Sequence, residues 1–102
     1  MNQQPVYVFA KWQAKEGQVD VVLQHLTEVA KQTALEEGNL FYKVHQSNTD
    51  ANTLVLYEGY TSQQAVDAHR SAPYFQSIVI GQIIPLLVNR EVILSSQLTL
   101  AV

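Results

Sequence analysis

The sequence predicts an α+β domain of the ferredoxin-like, split β-α-β-β-α-β type, an antiparallel sheet carrying its helices on one face. Three observations lead there. A run of β-formers at residues 6–12 gives way near Gln18 to an apolar period of helical spacing. Two more β-rich runs, 40–46 and 53–60, follow with only a short polar connection between them. A second helical stretch then leads to a last β-rich run near the C-terminus. At 102 residues and 11.4 kDa the chain has room for one core, so residues 1–102 are expected to form a single domain.

The first strand, 6–12, contains Val6, Tyr7, Val8, Phe9 and Trp12 and stops before Lys15-Glu16-Gly17. From Gln18 the apolar residues Val19, Val22, Leu23, Leu26, Val29, Ala30 and Ala34 trace one helical face, predicting a helix over 18–36. Asp20 in its first turn suits the helix dipole, and Gly38 is placed to terminate it. The second strand, 40–46, closes at the polar run Ser47-Asn48-Thr49-Asp50-Ala51-Asn52, and the third spans 53–60. Thr61-Ser62-Gln63-Gln64 matches a capping box opening a short helix through His69. Ala72-Pro73 restarts a helix that Pro85 should kink or end. The fourth strand is expected over 91–94 and 97–100, with a bulge at Ser95-Ser96.

A hydrophobic content of 47% with 15% charged residues describes a folded chain. Net charge −3, pI near 5.4 and only 6 scattered Lys and Arg argue against nucleic acid or an anionic membrane as partner. Cys is absent, which excludes disulfides, thiolate metal sites and a cysteine nucleophile. The start Met1-Asn2-Gln3-Gln4-Pro5 is unlike a signal peptide, and the apolar stretch 71–89 is broken by Gly81 and Pro85. A cytoplasmic location is therefore expected. No metal site is predicted, because the 3 histidines lie on separate elements without ligand spacing.

The first strand is apolar on both faces: Val6, Val8, Ala10 and Trp12 on one, Tyr7 and Phe9 on the other. The third repeats this, with Leu54 and Leu56 opposite Val55 and Tyr57. Two helices cover one face only, and a solvated face should alternate with polar residues. The bare face is therefore expected to pack on a second copy, giving a homodimer, with the tail 98–102 able to swap onto the partner.

Glu58 lies in an apolar strand, on the face of Leu54, Leu56 and Tyr60. Burying an ionised Glu costs several kcal/mol unless it is paired or hydrogen-bonded, so Glu58 needs a partner. The functional reading pairs it with His69 as the orienter of a general base. The structural reading bonds it to a Tyr hydroxyl or to backbone amides. An imidazole with an unperturbed pKa near ~6.5 suits proton transfer at neutral pH. Trp12, Tyr42, Tyr57, Tyr60, Tyr74 and Phe75 are candidate walls for a flat conjugated ligand, or else ordinary core. His45 is carried as a further candidate, facing either the pocket or the sheet–sheet interface. His25, off the apolar stripe of helix one, is expected in solvent.

Four segments in order, Glu36 to Val44, Tyr57-Glu58-Gly59-Tyr60, Ala65 to His69 and Ser71-Ala72-Pro73-Tyr74-Phe75, resemble the antibiotic biosynthesis monooxygenase (ABM) domain. The resemblance runs from about Val6 to about Val92. It implies dimeric α/β barrels of ferredoxin-like subunits. Members include cofactor-independent oxygenases of quinols and polyketide anthrones, haem-degrading enzymes, and an isomerase of a phosphorylated quorum-sensing signal. Glu58 falls on the Glu of the family's E-x-W/Y strand motif, Tyr60 on its aromatic place, and His69 on the histidine of the next helix. Val79 stands where the haem branch has its iron-binding His, and that branch's strand-one Asn is missing from 6–12, so haem is not expected.

The resemblance therefore implies a cofactor-independent monooxygenase acting on a small quinol or aromatic polyketide-like substrate. His69 would be the base, Glu58 its orienter, and molecular oxygen the co-substrate. With no flavin, haem or metal motif, the substrate must supply the electrons. The alternatives are an isomerase of the same family and a non-catalytic protein that binds a small ligand.

Overall fold

The computed structural model describes residues 4–101. Its elements are β1 (Val6–Ala14), α1 (Val19–Ala34), β2 (Asn39–Gln46), β3 (Thr53–Tyr60), α2 (Gln63–Ser71), a π-helical segment α3 (Phe75–Ile83), a 3₁₀ turn (Ile84–Leu86) and β4 (Leu87–Ser95). The strands form one antiparallel sheet in the order β2-β3-β1-β4, with the helices on one face, as the ferredoxin-like reading expects.

Gly17, at φ 80°, makes the turn from β1 into α1, a backbone region that other residues adopt only at a cost. α1 buries Val22, Leu26, Val29 and Thr33, a stripe of helical spacing pressed on the sheet. It stops two residues short of the expected end. The Leu35 and Glu36 amides donate to the Gln32 and Thr33 carbonyls, tightening the last turn and carrying Glu36 off the helix.

β2 and β3 are joined by a turn in which Asp50 accepts from the Asn52 amide at 3.0 Å and the Thr53 hydroxyl at 2.6 Å. These bonds hold the half-buried Asp50 carboxyl below its ordinary pKa. Ser62, rather than Thr61, caps α2 by accepting from the Ala65 amide at 3.1 Å. Ala72 ends that helix in an extended conformation, as the residue before Pro73 must.

β4 departs from expectation. It begins at Leu87 and ends at Ser95, and no strand follows among the described residues. The irregularity sits opposite Gln13 and Ala14 rather than at Ser95-Ser96. The reason is register: β1 runs on to Ala14 and takes Leu87 to Arg90 as partners, while at its other end Pro5 offers no amide to extend the pairing. The swapped tail falls partly on Val102, outside the described residues; Leu98 and Leu100 are exposed.

Val6, Val8, Ala10, Trp12 and Ala14 of β1 and Leu54, Leu56, Glu58 and Tyr60 of β3 point under the helices. The main core joins Trp12, Val22, Leu26, Val29, Leu54, Leu56, Val79 and Ile83. A second cluster of Val6, Val8, Tyr60 and Val66 lies beneath α2. The opposite face is open, and Phe9, Val55 and Ile93 on it are 42%, 36% and 53% exposed.

Candidate functional site

Between the two clusters sit the polar groups. β3 delivers Glu58 and Tyr60 to the helix side of the sheet, because residues two apart on a strand share a face. α2 turns Val66 and His69 inward, three residues apart on one helix face. Both Glu58 and His69 are buried, 6% and 4% exposed.

The Tyr60 hydroxyl donates to Glu58 Oε1 at 2.6 Å. His69 Nε2 lies 3.8 Å from the same oxygen, too far for a hydrogen bond and an ion pair only when the imidazole is protonated. Burial pushes the Glu58 carboxyl above its ordinary pKa, against the opposing pull of Tyr60, His69 and Arg70. Tyr60 is raised as well, by burial first and by the adjacent carboxylate.

The imidazole finds its closer partner elsewhere. His69 Nδ1 is 3.0 Å from Glu36 Oε2 and 3.2 Å from Oε1. The Tyr74 hydroxyl donates to the same carboxylate, and Thr33 Oγ1 lies 3.0 Å from that hydroxyl. Burial and the Glu36 bond raise the Tyr74 pKa. Glu36 comes from the turn after α1, 33 residues before His69, and the sequence reading has it as a helix end and the start of a family-like segment, with no role at the site. The one signal in the sequence is a carboxylate just ahead of a helix-terminating Gly38.

A cavity of about 50 Å³ opens beside these groups, lined by Glu58, Tyr60, His69, Trp12, Phe75 and Val79, with Arg70 and Arg90 also on its wall. The π-helical turn of α3 places Phe75 and Val79, four residues apart, on this wall together. The Phe75 and Tyr60 rings flank His69 at 5.0 and 5.1 Å between centroids, and Tyr42 stands 6.4 Å away. Burial raises the Tyr42 pKa, with Glu58 adding to the effect. Outside His69 a broader groove of about 760 Å³ is lined by Glu36, Gly38, Ser62, Ala65 and Tyr74. The histidine thus stands between an inner cavity and an outer groove, with a carboxylate on each side.

The structure therefore gathers Glu58, His69, Trp12, Tyr42, Tyr60, Tyr74 and Phe75 and leaves two sequence candidates apart. Tyr57 projects to the open face, where it stacks on Phe9 and meets Phe41 at a tilt, each with centroids 4.7 Å apart. His45 pairs with Val55, whose side chain faces away from the helices, and its Nδ1 is 3.3 Å from the Val55 carbonyl. Strand alternation carries both to the side away from His69. His25 is half-buried on α1 rather than fully in solvent. Among the described residues no group of three or more His, Asp or Glu is placed to hold a metal ion, and no helix is long and apolar enough to cross a membrane.

A family model described as antibiotic biosynthesis monooxygenase matches residues 5–79. A Mycobacterium tuberculosis protein named "Putative monooxygenase Rv0793" is 31% identical over 71 residues, 70% of this chain and 69% of that protein. The structure of Rv0793 aligns with a TM-score of 0.88 at 27% identity, covering 97% of this chain and 100% of that one. A structure titled "Putative antibiotic biosynthesis monooxygenase" from Nitrosomonas europaea aligns at 0.88 and 17% identity, covering 96% and 94%. A conserved protein from Methanosarcina mazei Go1 aligns at 0.87 and 22%, covering 94% and 95%. The last two likenesses speak to the fold alone.

Proposed function

Because the chain belongs to the antibiotic biosynthesis monooxygenase family, we propose that it oxygenates a small single-ring quinol with molecular oxygen and no cofactor. His69 is the base. The observation that carries this reading is the Glu36 carboxylate 3.0 Å from Nδ1. A neutral imidazole that donates from Nδ1 keeps its lone pair on Nε2, on the side of Glu58 and the cavity. Glu36 and Tyr74 are then the orienters of His69, a role the sequence reading gives to Glu58. Held by Tyr60, Glu58 faces the incoming phenol instead.

Removing the phenolic proton raises the electron density of the ring, which then supplies all the electrons: a hydroquinone and dioxygen give a hydroxyquinone and water. The aromatic walls Trp12, Phe75 and Tyr60 favour a flat substrate and exclude bulk water from the anion. At about 50 Å³ the cavity is smaller than the ~150 Å³ that admits a benzene ring, so a single ring enters only as the walls open and a polycyclic polyketide is disfavoured further.

Oxygen electrode measurements on a panel of single-ring quinols check the proposal. One dioxygen is expected per quinol, unchanged by chelator, with His69→Ala slower by ~10²–10⁴-fold, the usual contribution of a general base. Glu36→Gln is expected to lower kcat while leaving KM nearly unchanged. No uptake across the panel, or full uptake by His69→Ala, sinks the oxygenase. An isomerase would use the same histidine, and isomerisation in the absence of oxygen identifies it.

The same reading makes the working unit a homodimer closed into an α/β barrel. It is supported by the exposed Phe9, Val55 and Ile93 and the adjoining cluster of Tyr7, Phe41 and Tyr57 on the open face.

A further inference from the structure

The cavity beside His69 carries a charge pattern that proton abstraction does not use. Of the chain's 6 Lys and Arg, Arg70 and Arg90 both line it. They arrive from different elements. Arg70 follows His69 in the last turn of α2, and Arg90 on β4 sits across from Trp12 of β1. Both are exposed residues, so their charge lies at the mouth of the cavity. Among the described residues neither guanidinium has a carboxylate within 4.0 Å; the only ion pairs there are those of His69. The neighbouring acid, Glu91, falls on the other face of the sheet, opposite Lys11.

A second observation points the same way. Trp12, 5% exposed, lines this cavity, and its indole Nε1 is a buried donor with no acceptor among the described residues. A buried N–H without a partner is uncommon, because leaving it unpaired costs about 1–3 kcal/mol. Glu58 is the one acid on the cavity wall, and its Oε1 already accepts from Tyr60. The balance of the wall is positive in a chain whose net charge is −3.

We propose that Arg70 and Arg90 form an anion subsite, so that the preferred ligand is a one-ring aromatic bearing an anionic oxygen group such as a carboxylate. The ring lies against Trp12, Phe75 and Val79, the anionic group meets the two guanidiniums at the mouth, and a ligand oxygen accepts the Trp12 indole proton. Arginine suits this task because its planar fork matches a carboxylate with two parallel bonds. This inference rests on the reading of the cavity as the substrate site, and it narrows that substrate from a quinol to a carboxylated quinol.

Trp12 is the only tryptophan, so its indole N–H gives a single proton–nitrogen correlation in a ¹⁵N-labelled sample. Titrations with benzoate and with benzyl alcohol, its neutral counterpart, are followed on that signal. Benzoate is expected to shift it saturably and to bind at least ~10-fold more tightly than benzyl alcohol. Arg70→Gln and Arg90→Gln should each bring benzoate close to benzyl alcohol, while Lys31→Gln on α1 leaves the difference intact. Both arginines are exposed, so these variants should fold, and the unchanged remainder of the spectrum verifies it. Phenyl phosphate run in parallel tells a phosphate monoester from a carboxylate, and Arg-dependent binding of either supports the subsite.

Equal binding of benzoate and benzyl alcohol, indifference to both arginine substitutions, or no movement of the Trp12 signal overturns it. The outcomes separate from those of the oxygen assay. Carboxylate selectivity without oxygen uptake removes the oxygenase and keeps the subsite. Uptake with neutral quinols and no gain from a carboxylate does the reverse.

Discussion

At the scale of single residues, the informative fact is that two carboxylates share one imidazole. Glu58 is the more deeply buried, and among the described residues its one hydrogen bond from a side chain comes from Tyr60. Its raised pKa fixes the sign of a pH effect. A carboxyl whose pKa is higher folded than unfolded binds its proton more tightly in the native state. Its contribution is complete below the unfolded value and declines as pH rises through the folded one. The melting temperature should therefore fall as pH rises from the normal carboxylate range towards neutrality. Glu58→Gln, which keeps an acceptor for Tyr60, should flatten that fall. A wild-type curve that climbs over this range, or a Gln variant with the same slope, contradicts the assignment.

The sequence marked Glu58 and His69 as a pair in need of explanation, and strand parity already put Tyr60 on the face of Glu58. Glu36 was out of reach: nothing local says that the residue leaving α1 will meet a histidine 33 positions later.

At the scale of elements, the turn after α1 holds Glu36 in place by a close approach that only glycine permits. A Cβ on Gly38 would stand 2.5 Å from Ala65 Cβ, which is attached directly to α2 and cannot swing aside. Gly38→Ala should cost about 1–3 kcal/mol, the usual penalty of overpacking, and should also slow turnover by displacing Glu36. Gly81 is the contrast. A Cβ there would meet only the Gln76 carbonyl, at an ordinary 3.5 Å, so Gly81→Ala should be neutral or stabilising by up to about 1 kcal/mol. Chemical denaturation of the two variants checks both signs.

Periodicity located every element but not the π-helical turns of α3, since apolar residues four apart fit a wider turn as readily as an α-helix. It also set β4 too late, because β-propensity ranks residues 91–94 highest while pairing with β1 decides where the strand starts.

At the scale of the whole molecule, one helical layer on one sheet leaves a face uncovered, and the chain is only 18 Å through its thinnest direction. Phe9, Val55 and Ile93 line a shallow depression there, beside the Tyr7, Phe41 and Tyr57 rings. Replacing Phe9 and Ile93 together by Lys puts charges at the centre of this face without touching the helical side. Sedimentation should then report 11.4 kDa where the unaltered protein reports twice that mass. An unaltered protein that sediments as a monomer, or a double variant that still dimerises, argues against the barrel.

The sequence by itself determined the element order, the antiparallel sheet and the two-faced character of β1 and β3. These depend on patterns of period two and of helical spacing that are local to each segment. It also determined that Glu58 must have a partner, because the cost of burying a carboxylate does not depend on the fold. Only the tertiary structure decided which partners were met: Tyr60 for Glu58, and Glu36 and Tyr74 for His69; it also put Arg70 and Arg90 on the wall of one cavity. It also turned Tyr57 and His45 away from the site. Hydrogen bonds and charge pairs act over a few ångströms, and proximity between residues distant in sequence is created by packing, which no local pattern encodes.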